Sequence, residues 1–127
     1  LILILSFTLS STSFAEWEYY KTNIEYKGHL YYESDSVKRM GEELYVYQLI
    51  YKNEIVTINE VSFLSIVTYK IIDCNSLMEK KLYITVYSKN MGEGKVVHEG
   101  RPQREEFKPF PPKSINYTFS EFICSKY

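Results

Sequence analysis

Residues 44–51 read LYVYQLIY, and this stretch decides the fold of the chain. β-Branched and aromatic side chains make up most of it, which is typical of a β-strand. Residues 61–73 (VSFLSIVTYKIID) form the longest strand candidate. Alternate residues of this stretch would lie on opposite sides of a sheet, and both sides are partly apolar. We therefore predict that it is a central strand.

Further strands are predicted before and after these stretches in the chain. Residues 80–88 alternate well, with Leu82, Ile84 and Val86 on one side of the strand. The remaining strand candidates are 17–21, 28–33 and 95–98.

The connections between strands carry turn signals. Residues 34–36 (Ser-Asp-Ser) offer groups for a turn, and 37–40 are predicted to form one helical turn closed by Gly41. The polar residues 52–60 are predicted to connect two strands, and the Gly-containing segment 90–94 is predicted to turn the chain again.

A helix is predicted at the C-terminus, after the proline-rich residues 109–112. Apolar side chains recur there at i, i+4, i+7 and i+8 from Ile115, which is the spacing of one helix face. Ser114 is suited to cap the N-terminus of this helix. The helix would carry Cys124 back to the sheet, where Cys74 ends a strand.

The uncharged segment 1–15 has the features of a signal peptide. It ends in Ala15, with Ser13 at the minus-three place, which fits signal peptidase cleavage. Its apolar run is shorter than the roughly 20 residues that span a bilayer. We predict a signal peptide at 1–15, truncated at its start since the chain lacks an initial Met, and a single mature domain at 16–127. Such a chain is exported, either to the periplasm or to the cell surface and medium.

The composition narrows the class of protein. The 127 residues carry a formal net charge of -1, so electrostatics do not favour nucleic acid as a partner. The chain has 13 Tyr and 7 Phe. These residues favour strands, and Tyr also favours contact surfaces because its ring buries area while its hydroxyl keeps a partner. Both interpretations remain open from composition alone.

Cys74 and Cys124 are the only cysteines. In an exported protein an even pair is expected to form a disulfide. The predicted fold is therefore α+β, with an antiparallel sheet of about five to six strands, a C-terminal helix packed on it and one disulfide.

The sequence contains no motif of a catalytic or metal site. His29 and His98 stand far apart, and no nucleophile elbow, phosphate-binding loop or zinc spacing is present. We expect no catalysis, no metal and no cofactor, and an undetected hydrolase site is the least favoured interpretation.

Candidate binding residues come from two regions. One is the set of strand tyrosines, and the other is the proline-rich loop with its basic and aromatic side chains. An alternative for the loop is that its aromatic rings pack against the sheet. The candidate residues are Tyr45, Tyr47, Tyr83, Tyr87, Arg101, Arg104, Phe107 and Phe110.

The order of several short segments resembles the surface-adhesin protein E family of Gram-negative bacteria. The segments are Trp17, Tyr31-Tyr32, 49–51 (LIY), Asp73-Cys74, Tyr87-Ser88, 91–94 (MGEG), 112–114 (PKS) and Ile123-Cys124. The resemblance covers nearly all of 16–127. It implies an antiparallel sheet with a C-terminal helix joined by a Cys74–Cys124 bridge, and binding to host matrix or serum proteins. It assigns no individual binding residue.

Two functions follow as expectations. The first is an exported, non-catalytic binding protein with host extracellular proteins as partners and no transmembrane anchor in the mature chain. The second is a periplasmic envelope protein with a structural or inhibitory role and no adhesion. Exposure of the strand tyrosines would favour the first, and their burial the second. The oligomeric state is not predicted.

Overall fold

A computed structural model describes residues 16–24 and 27–127. The predicted signal peptide lies outside these residues. The elements are β1 (Trp17–Asn23), β2 (Gly28–Glu33), β3 (Lys38–Met40), β4 (Glu43–Ile58), β5 (Val61–Asp73), β6 (Met78–Tyr87), β7 (Val96–Gly100), β8 (Lys108–Pro109) and α1 (Ile115–Lys126).

The described residues form one antiparallel sheet of eight strands. Six strands follow the order β1-β2-β4-β5-β6-β7, while β3 pairs with β4 and β8 pairs with β6. The predicted fold class is confirmed, and β5 is central as expected. The sheet has more strands than the five to six predicted. The two additional strands, β3 and β8, have only three and two residues, which is too short to show a periodic pattern.

Two predicted connections are wrong. The expected helical turn at 37–40 is strand β3, which pairs with the start of β4 across a tight turn at Gly41. The φ of Gly41 is +64°, a value that suits a tight hairpin turn and that glycine adopts without strain. A single helical turn gains too few hydrogen bonds to compete with this pairing.

The polar connection at 52–60 is also wrong, because β4 continues to Ile58. The pairing register of β4 with β5 shifts between Tyr51 and Val56. The chain then turns at Asn59 and Glu60, whose φ values are 49° and 67°. Such left-handed pairs form two-residue hairpin turns. Polar side chains are tolerated here because the outer part of this hairpin is mostly exposed on both sides.

Helix α1 covers one side of the sheet, which we call the helix face. Ser114 caps the helix as predicted, since its Oγ accepts a hydrogen bond from the Tyr117 backbone N–H at 3.1 Å. The core between α1 and the sheet consists of Leu30, Tyr32, Leu44, Val46, Ile72, Phe119 and Ile123.

The other side of the sheet, which α1 does not cover, is the open face. Side chains alternate along a strand, so burial of Leu44 and Val46 under α1 directs Tyr45 and Tyr47 to the open face.

Candidate binding face

Strand pairing places tyrosines from three strands side by side on the open face. Tyr47 of β4 pairs with Tyr69 of β5, and Tyr69 pairs with Tyr83 of β6. Tyr45 lies two residues before Tyr47 and on the same side. We call Tyr45, Tyr47, Tyr69 and Tyr83 the tyrosine band.

Three rings of the band, those of Tyr45, Tyr47 and Tyr69, pack against one another while part of the band faces solvent. The Tyr47 and Tyr69 ring centres are 4.3 Å apart with an angle of 28° between the planes, and the Tyr45 and Tyr69 ring centres are 6.2 Å apart. Tyr47 is 37% exposed and Tyr83 is 39% exposed, whereas Tyr45 and Tyr69 are half-buried. The band is therefore an ordered aromatic surface in contact with solvent.

Two phenols of the band, those of Tyr69 and Tyr83, have raised pKa values. Burial raises the pKa of Tyr69, and the neighbouring phenols of Tyr47 and Tyr45 raise this pKa further. Partial loss of solvent raises the pKa of Tyr83, and the Glu99 carboxylate, which is hydrogen-bonded to it, adds to the effect. A protonated phenol both donates and accepts hydrogen bonds, so the Tyr69 and Tyr83 hydroxyls can each pair with either kind of group on a partner.

Tyr87 is separated from the band by a turn that lies on the open face. The turn Asn90–Gly92 packs over Leu49 and Val67, with Gly92 also close to the Tyr87 ring. The buried Ser65 hydroxyl holds this turn, because its Oγ donates to the Lys89 carbonyl at 2.6 Å and accepts from the Gly92 N–H at 3.0 Å. Tyr87 is half-buried and lies apart from the band, beyond this turn.

A second aromatic group on the open face contains one of the two histidines. The His29 ring stacks on Tyr51 at 4.8 Å. Its Nε2 donates to Asn53 Oδ1 at 2.6 Å, and its Nδ1 lies 2.7 Å from the Thr22 hydroxyl, which also pairs with Tyr19. In a neutral imidazole, Nδ1 then accepts from Thr22. Hydrogen bonds to hydroxyl and amide groups therefore fix the orientation of the His29 ring.

The structure does not bring the two histidines together. His98 lies on β7, at the far end of the strand order from β1 and β2. Within residues 16–24 and 27–127, no three His, Cys, Asp or Glu side chains are placed to hold a metal ion.

The loop candidates are only partly exposed. Arg101 and Arg104 are exposed, and Arg101 Nη1 pairs with Glu105 Oε1 at 2.8 Å. Phe107 is half-buried beside Lys80, whose Nζ lies 4.9 Å from the ring centre.

Phe110 is a correction to the predicted surface. Its side chain is only 7% exposed, and its ring lies 5.7 Å from Nζ of the buried Lys70 on the helix face. Packing the Phe110 ring against the helix face removes more apolar area from water than leaving the ring on the surface of the loop would. Phe110 is therefore a core residue and does not belong to the binding surface.

The residue that sequence reasoning missed is Tyr69, which has the closest ring contact in the band. Alternation within β5 places Tyr69 on the same side as Phe63 and Val67, but alternation cannot say which side of the sheet that is. The register with β4 decides it, since Tyr69 lies opposite Tyr47.

Comparison with known families gives one decisive match. The model of the surface-adhesin protein E family matches residues 17–125. The chain belongs to this family. Among curated proteins, no sequence matches the chain.

Solved structures of Haemophilus influenzae protein E share the adhesin E fold of this chain. Crystal form II is 16% identical, with a TM-score of 0.60 over 77% of this chain and 81% of that chain. The selenomethionine form is 15% identical, with a TM-score of 0.62 over 86% of this chain and 87% of that chain. At such identity the likeness shows the fold alone.

One further feature agrees with the family assignment. The Cys74–Cys124 disulfide that the resemblance implied is present, with a Cα–Cα distance of 5.6 Å. In the described ranges 16–24 and 27–127, no helix has the length and apolar character to cross a bilayer.

Proposed function

We propose that residues 16–127 form an exported binding protein without catalytic activity, and that the tyrosine band contacts a partner protein. Segment 1–15 would be a signal peptide that is removed on export. Host extracellular matrix and serum proteins are the proposed partners, since the chain belongs to a family of surface adhesins.

The observation that carries the proposal is the exposure of the band on an uncovered sheet face. Tyrosine is enriched at protein interfaces because it buries a large ring at a low entropic cost and keeps a hydroxyl for hydrogen bonding. Ring packing among Tyr45, Tyr47 and Tyr69 orders these side chains before binding, which lowers the entropy lost on association. The exposed Arg101 and Arg104 and the half-buried Phe107 lie in the loop that follows β7, and we include them in the proposed surface.

The binding test uses the purified chain 16–127 on immobilised matrix and serum proteins. Tyr47→Ala and Tyr83→Ala should each weaken binding about tenfold or more, as expected for aromatic anchor residues. Tyr127→Ala is the matched control, because Tyr127 is 38% exposed but lies at the end of α1. Thermal unfolding of each variant checks that its fold is intact.

Two outcomes would contradict the proposal. If both band variants bind as well as the control does, the band is not the contact surface. If the intact chain binds none of the host proteins, the proposed partner class is wrong.

The alternative function, a periplasmic envelope protein, is distinguished by location. The precursor is expressed in its own host, and intact cells are exposed to a protease. Digestion of the mature chain on intact cells supports a surface role. Protection until the outer membrane is opened supports the periplasmic role and excludes contact with host proteins.

A further inference from the structure

We propose that Tyr47 and Tyr69 form an oxidative cross-linking site, at which a peroxidase with hydrogen peroxide joins the two rings as a dityrosine. The dityrosine would link β4 to β5 covalently. It does not depend on what the tyrosine band binds.

Ring geometry selects this pair among the tyrosines of the described residues. The Tyr47 and Tyr69 ring centres are 4.3 Å apart and the planes differ by 28°. At this separation and angle the rings are stacked with their faces in contact. The Tyr19–Tyr31 pair is 5.4 Å apart with planes at 65°, and the Tyr45–Tyr69 pair is 6.2 Å apart. Coupling between groups held at such short range is strongly favoured over coupling between molecules.

Exposure makes the pair reachable by an oxidant. Tyr47 is 37% exposed on the uncovered side of the sheet, so it can transfer an electron directly to a peroxidase or to a small radical mediator. Tyr69 is half-buried beside it on the neighbouring strand and is in ring contact with both Tyr47 and Tyr45. An electron from Tyr69 can therefore leave through Tyr47. Tyr32, by contrast, is 1% exposed under α1 and lacks this access.

The chemistry balances with one molecule of hydrogen peroxide. The peroxidase removes one electron and one proton from each phenol, which leaves two phenoxyl radicals. The radicals couple through their ortho carbons, and one carbon–carbon bond forms. Each of these carbons then releases its hydrogen as a proton, each phenolic oxygen regains one, and both rings become aromatic again. The two electrons and two protons removed in total convert hydrogen peroxide into two water molecules.

The experiment treats dilute, folded chain 16–127 with horseradish peroxidase and hydrogen peroxide. The expected product is a monomer that has lost two hydrogen atoms and shows dityrosine fluorescence. Trypsin would then leave peptide 40–52 joined to peptide 53–70, and Tyr69 is the one tyrosine in the second peptide. Fragmentation identifies the partner in the first peptide, which contains Tyr45, Tyr47 and Tyr51.

Three variants make the test specific. Tyr47→Phe and Tyr69→Phe should each lose the joined peptide while the fold is retained, because only the hydroxyl is removed. Tyr83→Phe is the matched control, since Tyr83 is 39% exposed and pairs with the Glu99 carboxylate. This control should form the joined peptide in the same yield as the unaltered chain.

The proposal is overturned if the folded chain gives only cross-linked dimers, or if Tyr47→Phe still joins the two peptides. It is also overturned if chain unfolded in urea forms the same link in equal yield, because proximity in the fold would then play no part.

Discussion

Lys70 is a charged residue in the core of the protein, whereas most charged side chains lie on the surface. Its side chain is 1% exposed on the helix face, where its Nζ donates to Glu79 Oε2 at 2.8 Å. The ammonium also lies over the rings of Phe110 and Phe119, at 5.7 and 5.6 Å from their centres. Burial lowers the pKa of Lys70, and the Glu79 carboxylate opposes that shift. The pair is tolerated because each charge is satisfied by the other.

Removing one member of this pair should be costly. Lys70→Met leaves the Glu79 carboxylate with little solvent and no cation, so we expect the free energy of unfolding to fall by roughly 3 kcal/mol. Lys70→Met combined with Glu79→Leu should recover most of that loss, since no unpaired charge remains. Urea unfolding measures both differences.

The control for this prediction is an exposed ion pair of equal length. Arg101 and Glu105 also meet at 2.8 Å, but Arg101 is exposed, so Arg101→Met should change stability by less than about 1 kcal/mol. If Lys70→Met costs no more than Arg101→Met, the buried pair does not stabilise the fold.

Helix α1 illustrates how an element can be specified by a few local groups. Its apolar stripe packs on the sheet, and Ser114 supplies an acceptor for a backbone N–H of the first turn. Arg39 of β3 donates to the Cys124 carbonyl at 2.8 Å and so satisfies a group in the last turn. Both ends of the helix are therefore capped by side chains, one of which comes from a distant strand.

The N-terminal cap predicts a measurable loss. Ser114→Ala removes the acceptor for the Tyr117 N–H and should lower the free energy of unfolding by about 1 kcal/mol. Ser125→Ala is the matched control, because Ser125 is exposed in the last turn and its hydroxyl donates to the Phe122 carbonyl. Ser125→Ala should be nearly neutral, since alanine is the better helix former. Equal losses in thermal or urea unfolding would show that the cap contributes nothing of its own.

At the scale of the whole molecule, the disulfide joins the end of the sheet to the end of the helix. Cys74 follows β5, Cys124 lies in the last turn of α1, and 50 positions separate them. A bridge over such a distance restricts the unfolded chain strongly. It also holds the last turn of α1 beside the end of β5, where both cysteines pack against the hydrophobic core.

Removing the bridge should have the largest effect on stability. Cys74→Ala with Cys124→Ala should lower the free energy of unfolding by about 4 kcal/mol, estimated from the loop length. That amount is a large share of the stability of a domain of this size. The unaltered chain in reductant should unfold at the same urea concentration as the double variant. A midpoint that neither change moves would rule out a stabilising bridge.

Much of the fold was predictable because its signals are local. The β-forming stretches at 44–51 and 61–73, the cap at Ser114 and the stripe that follows it depend on neighbours a few residues away. Local patterns failed at 37–40 and 52–60, where pairing with a neighbouring strand outweighed helical or polar character. The candidate binding residues show the same difference. Alternation along β4 correctly placed Tyr45 and Tyr47 on one side of the sheet, but it could not place Tyr69 of β5 beside them.

The sequence by itself therefore determined the main strands, the capped helix, the cysteine pair and the membership of a family. Tertiary structure alone decided which tyrosines form one surface. Tyr69 joins Tyr47 through the register between β4 and β5, Tyr87 is set apart by the turn that Ser65 holds, and Phe110 is buried against Lys70. Each of these contacts joins residues that are distant in the chain, and their positions follow from the packing of whole elements rather than from any local preference.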